Sequence, residues 1–79
     1  DVIRAPISGV FYTAREPGAE PYVREGSLVR KGEPICIIEA MKMMNEICAP
    51  KPGVILRVCA ENAQAVSEND VLFVYAKED

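Results

Sequence analysis

Ala49-Pro50-Lys51-Pro52-Gly53-Val54-Ile55 repeats the pattern of an earlier segment, Ala5-Pro6-Ile7-Ser8-Gly9-Val10-Phe11. The offset is 49 minus 5, or 44, and the two share A-P-x-x-G-V followed by an apolar residue. A second pair aligns Val29-Arg30-Lys31-Gly32-Glu33-Pro34-Ile35-Cys36-Ile37 with Val66-Ser67-Glu68-Asn69-Asp70-Val71-Leu72-Phe73-Val74, at an offset of 66 minus 29, or 37. Gly32 and Asn69 fall together, and both residue types tolerate the left-handed backbone of tight turns. Self-similarity of this kind signals two copies of one supersecondary unit, here a twofold pseudo-symmetric domain. The offsets differ by 44 minus 37, or 7 residues, and the surplus lies between Phe11 and Val29. Thr13-Ala14-Arg15-Glu16-Pro17-Gly18-Ala19-Glu20-Pro21, with its Pro-Gly step, predicts a loop protruding from one half only.

The rest of the chain follows the repeat. Short β-favouring runs at Gly9 to Tyr12, Ile35 to Ala40, Gly53 to Cys59 and Val71 to Ala76 alternate with Gly, Pro, Asn and Asp, the signature of an all-β sandwich or barrel. Ile37 to Ile47 reads as a helix on propensity alone, through its Glu, Ala, Met and Lys. The repeat argues against it, because the junction between the halves falls after Ile38 and before Ala49.

Composition sets the outer limits. The 79 residues suffice for one domain, residues 1–79, with a single small core. A hydrophobic share of 49% with 27% charged residues fits a soluble globular chain. The net charge of -3 argues against nucleic acid, and no apolar run reaches the length of a membrane span. A chain beginning at Asp1 reads as an excised piece from which a targeting segment can be missing. Cys36, Cys48 and Cys59 form no CxxC pair, so neither a disulfide framework nor a zinc site is expected. Cys36, inside Ile35-Cys36-Ile37-Ile38, reads as a buried free thiol in a reducing compartment. With no histidine present, a self-contained active site is not expected. Glu39 and Glu46 read as solvated surface charge rather than a catalytic carboxylate pair.

Glu39-Ala40-Met41-Lys42-Met43-Met44 occupies the junction between the halves. The plain reading is a lysine at a strand edge with methionines filling gaps in the core. If the strand ending near Ala40 leads into one beginning near Met43, Met41 and Lys42 form a two-residue hairpin turn. Such turns favour Gly or Asn because the central residues take positive φ. Neither is present, and a turn built against its own chemistry is where a functional residue is expected.

Glu39-Ala40-Met41-Lys42-Met43 resembles the E-A-M-K-M motif of biotinyl domains, and the chain is similar to the carboxyl-carrier domains of acetyl-CoA carboxylases. The resemblance covers nearly the whole chain: Ala5-Pro6 with Gly9, the loop at Thr13 to Pro21, Glu25-Gly26, Lys31-Gly32, Ala49 and Gly53. It implies a flattened barrel-sandwich of two four-stranded antiparallel sheets, with the modified lysine on an exposed hairpin and both termini at the opposite end. It also implies a non-catalytic carrier with biotin joined to Lys42. A biotin protein ligase would attach the biotin, biotin carboxylase would load it, and carboxyltransferase would unload it to make malonyl-CoA for fatty acid synthesis. The setting would be cytoplasm or plastid stroma. Met41 and Met43 would flank the lysine for ligase recognition and biotin packing, while Glu39 and Ala40 complete the motif. The loop would correspond to the thumb of acetyl-CoA carboxylase carriers, which lies near biotin. Where the family commonly has a thumb threonine, this chain has Ala14, with Thr13 adjacent. Two rivals share part of this pattern: a lipoyl-type carrier, whose lysine is usually flanked by Asp and a small residue, and an unmodified interaction module of the same fold. A Schiff-base lysine is a third, but it needs a desolvated pocket.

Overall fold

Eight strands make up the structure, a computed structural model that describes residues 1–78. They are β1 (Val2–Arg4), β2 (Gly9–Tyr12), β3 (Leu28–Val29), β4 (Pro34–Ala40), β5 (Met43–Cys48), β6 (Gly53–Val58), β7 (Gln64–Val66) and β8 (Val71–Lys77). They pair into two four-stranded antiparallel sheets, ordered β1-β8-β6-β3 and β5-β4-β2-β7. The expected all-β barrel-sandwich is therefore the fold. No helix forms among the described residues, so none crosses a membrane. Propensity toward helix over Ile37 to Ile47 yields to burial: Ile35, Cys36, Ile37 and Ile38 are all buried, and β4 hydrogen-bonds to a neighbour on each side.

The core lies between the sheets. Phe11, Cys36, Ile38, Ile55, Leu72 and Phe73 are almost fully buried within it, and the rings of Phe11 and Phe73 pack at a tilt with centroids 6.0 Å apart. Cys36 is a free buried thiol, and burial pushes it up to about 12, because the interior disfavours the thiolate. Cys48 and Cys59 are free and exposed.

The twofold relation of the sequence holds in the hydrogen bonding. Gly32 N–H donates to Ala49 O and Asn69 N–H to Ala5 O, each at 2.8 Å. Gly26 N–H donates to Ile55 O and Ala63 N–H to Phe11 O, each at 2.7 Å. All four donors take positive φ. The halves part company after β2, where 11 residues (13–23) link Tyr12 to Arg24, against 4 residues (57–60) between the matching Leu56 and Glu61. The difference, 11 minus 4, is the 7-residue surplus.

Candidate functional site

Residues 40–43 form the tip of the β4–β5 hairpin. Ala40 pairs with Met43, and Met41 and Lys42 alone make the connection, at φ 52° and 64°. Both central residues are left-handed, the geometry of a type I′ turn. Side chains pay for that backbone with strain of roughly 1–2 kcal/mol per residue, which glycine would avoid. The turn residues thus sit against their own conformational preference.

The tip projects its side chains into solvent. Met41 is 94% exposed and Met43 64%, and Lys42 is exposed as well. The reading of these methionines as core filler is corrected: the turn lies beyond the last layer of core side chains, so nothing remains for them to fill. Neither ion pair among the described residues, Arg24 with Glu20 or Lys77 with Asp1, involves Lys42. The result is an unbranched primary amine held out in solvent at the end of a paired hairpin.

Glu39 and Ala40 are half-buried at the end of β4. Glu39 lies opposite Val10 on β2 and Met44 on β5, on the side of the sheet away from the core. Tyr12 donates its hydroxyl proton to Glu39 Oε1 at 3.1 Å, and that bond to a carboxylate holds the phenol above its ordinary range. Glu39 is therefore an anchored carboxylate at the base of the hairpin rather than freely solvated charge. Glu46, two rows further down β5, accepts a hydrogen bond from the Tyr22 hydroxyl at 3.3 Å. Directly opposite Glu46 on β4 sits Ile37, 6% exposed although it lies outside the central core.

The 13–21 loop lies on this same outer side. Tyr22 N–H closes its base on Thr13 O at 2.9 Å, and Gly18 turns its far end at φ 81°. A cavity of about 290 Å³ opens between residues 13–19 of the loop and Tyr12, Met44 and Asn62. Ala14 and Thr13 both line it, Ala14 buried and Thr13 half-buried. The Thr13 hydroxyl is engaged with Asn62 Oδ1 at 3.2 Å, and the Thr13 amide donates to the same oxygen at 2.9 Å. Met44 joins the two parts of the site, since it belongs to the hairpin and forms a wall of the cavity.

Four residues of this arrangement escape sequence reasoning. Met44, Tyr12 and Asn62 reach the cavity from three different strands or loops, and only the sheet register brings them together. Asn45 is the fourth. Its pairing with Ile38 points it toward the core side, and its side-chain amide donates to Ile38 O at 3.2 Å and Met43 O at 3.3 Å. Asparagine is depleted in strands, and that mismatch within Met-Met-Asn-Glu-Ile is the one signal the sequence offers.

Two stacked antiparallel sheets with one exposed lysine at a strained hairpin tip define the class: a barrel-sandwich domain that displays a lysine. Residues 1–75 match the biotin/lipoyl family, described as "Biotin-requiring enzyme", and the chain belongs to that family. The biotin carboxyl carrier protein of acetyl-CoA carboxylase from Cyanidium caldarium is 53% identical over 70 residues, covering 89% of this chain and 46% of that protein. The chloroplastic biotin carboxyl carrier protein of acetyl-CoA carboxylase 2 from Arabidopsis thaliana is 47% identical over 74 residues, 94% of this chain and 29% of that one. A solved single-chain, multi-domain long-chain acyl-CoA carboxylase contains the same fold, with a TM-score of 0.84 and 28% identity. That match spans 100% of this chain and 7% of the larger one. The chain thus spans less than half the length of the relatives it matches.

Proposed function

We infer that Lys42 carries biotin and that residues 1–79 form the biotinyl domain of an acetyl-CoA carboxylase carrier, not catalytic by itself. The observation that carries this reading is the exposed amine of Lys42 at a turn whose two left-handed residues are not glycine. Both named carrier relatives support the choice of biotin over lipoate. In the attachment step a biotin protein ligase supplies biotin as its adenylate. Lys42 Nζ, having lost a proton to the ligase, attacks the carbonyl carbon; the amide C–N bond forms, the C–O bond to phosphate breaks, and AMP leaves. The product is uncharged at Nζ.

The residues around the tip fit such a group. Met41 and Met43 offer adaptable apolar surface for ligase and biotin, anchored Glu39 and Ala40 fix the stem, and the cavity beside Met44 provides a wall for a ring system. Thr13 and Ala14 are the thumb residues that would face it. Because Ala14 has no hydroxyl and Thr13 is engaged with Asn62, that contact would rest on shape and backbone groups. Bound biotin supplies a ureido nitrogen that accepts and releases a carboxyl group. Tethering keeps that group at high effective concentration between biotin carboxylase, where it is loaded, and carboxyltransferase, where acetyl-CoA becomes malonyl-CoA. The cytoplasm or a plastid stroma is the compartment in keeping with three free thiols.

Incubation of the 79-residue chain with biotin protein ligase, biotin and ATP tests the reading by intact mass and peptide mapping. One biotin on Lys42, absent from Lys42→Arg and not transferred to Lys31, Lys51 or Lys77, is expected. An unmodified chain beside an active ligase sinks the carrier reading, and a lipoyl adduct formed by a lipoate ligase instead selects the rival.

A further inference from the structure

We propose that Asn45 is the positioning residue that sets the Met41-Lys42 turn, and so determines how the lysine is presented. This rests on the reading of Lys42 as the modified residue. Two residues with side chains held at φ 52° and 64° need a surrounding structure that fixes them. The β4–β5 pairing supplies one constraint, ending at Ala40 and Met43. Asn45 supplies another: a single amide nitrogen that binds Ile38 O on the strand entering the turn and Met43 O on the strand leaving it, at 3.2 and 3.3 Å.

The position of Asn45 explains why a polar group is used. It is half-buried and paired with Ile38, which belongs to the core, so an apolar side chain would pack there as well. A side chain with two N–H donors and a short reach can tie two carbonyls on opposite strands, which no aliphatic residue can do. Serine has one donor, and aspartate has none and would set a negative charge against both oxygens. The carbonyl of Met43 is the first beyond the turn, so holding it restrains the φ and ψ of the residues just before it.

The effect should appear as a change in population. If the left-handed turn is the conformation the ligase accepts, loosening it lowers the competent fraction and raises the apparent dissociation constant by that fraction, leaving the chemical step of the bound complex untouched. Asn45→Ala should raise the ligase KM for the 79-residue chain about tenfold with kcat within twofold, as expected from the loss of two weak hydrogen bonds. Three-bond amide couplings and Cα shifts of Met41 and Lys42 should move toward averaged values, while those of the core strands stay in place. In a Met41→Gly background, where positive φ costs little, adding Asn45→Ala should change KM less than twofold.

Unchanged KM together with unchanged Met41 and Lys42 couplings overturns the proposal. So does a tenfold KM effect that persists in the Met41→Gly background, or global unfolding of Asn45→Ala, either of which makes Asn45 an ordinary structural residue. If the unsubstituted chain is not biotinylated, the carrier reading fails by itself, and the couplings still decide whether Asn45 holds the turn.

Discussion

The first half of the barrel, β1 to β4, and the second, β5 to β8, answer the same geometric demands with partly different residues. Gly9 and Gly53 are a matched pair: a Cβ on Gly9 would come closer than 3.0 Å to Glu39 O, and one on Gly53 closer than 3.0 Å to Ala76 O. Glu39 and Ala76 are themselves related by the 37-residue offset. Where the halves agree to this degree, the shared residue serves the fold. Where they differ, in the 13–21 loop and in the Met41-Lys42 connection that joins them, the residues belong to neither sheet, and the candidate site gathers around those places.

The glycine pair gives the severest test of that equivalence. Gly9→Ala and Gly53→Ala each force a methyl group against a backbone carbonyl that cannot move without breaking its sheet. Each should cost about 2–4 kcal/mol in urea unfolding. A difference above about 1.5 kcal/mol between the two would break the claim that they do one job, since additive noise between independent sites is far smaller.

How much of this was legible in the sequence follows from the same comparison. The repeat announces β2, β4, β6 and β8 because those strands carry the buried apolar runs and the close-approach glycines. β1, β3 and β7 have three, two and three residues; they are strands because neighbours pair with them, and each is too short for its one or two β-favouring residues to stand out as a run. β5 is longer, but Asn45 and Glu46 are poor β-formers, and Met43, Met44 and Glu46 are exposed at a sheet edge. Lys42 drew notice because its turn contradicts turn chemistry, and its reading as a modified residue came from the resemblance of Glu39-Ala40-Met41-Lys42-Met43 to the E-A-M-K-M motif. The cavity was not, because Tyr12, Met44 and Asn62 lie far apart in sequence and meet only through sheet register. Nor was the burial of Ile37, which depends on what lies over the outer side of the sheet.

Cys36 and Phe73 sharpen the comparison inside the core. They occupy one position of the repeat, 73 minus 36 being 37, while Phe11 matches Ile55 at 55 minus 11, or 44. Each half thus brings one ring and one smaller side chain, in opposite order, and the two rings meet across the interior. Burial raises the Cys36 thiol from an ordinary 9.0 to about 12. The unfolded chain therefore loses this proton first: stability from the neutral thiol is complete below pH 9 and is lost as pH rises toward 12. Within that window the slope is about 1.4 kcal/mol per pH unit. Urea titrations at pH 8 to 11 should show the fall in the unsubstituted chain and a shallower one in Cys36→Ala. Tyr12→Phe serves as a control, because the raised Tyr12 phenol acts in the same direction. Parallel curves for Cys36→Ala and the unsubstituted chain would place the thiol in contact with water.

The smallest expected effect discriminates most finely, because it concerns one backbone position occupied by two different residues. Gly26 at φ 92° and Ala63 at φ 68° are related by the 37-residue offset and donate to matched carbonyls, Ile55 O and Phe11 O. Gly26→Ala places a methyl in open space, so its cost is the left-handed conformation alone, about 1 kcal/mol. Ala63→Gly relieves the same strain but frees the unfolded chain, so it should raise stability by less than about 1 kcal/mol. Opposite signs, measured by thermal unfolding, would show that the second half tolerates strain which the first half avoids with glycine. A loss of stability in Ala63→Gly would instead mean that the Ala63 methyl makes a contact outweighing its backbone, and the two turns would then be equivalent in hydrogen bonding but not in energy.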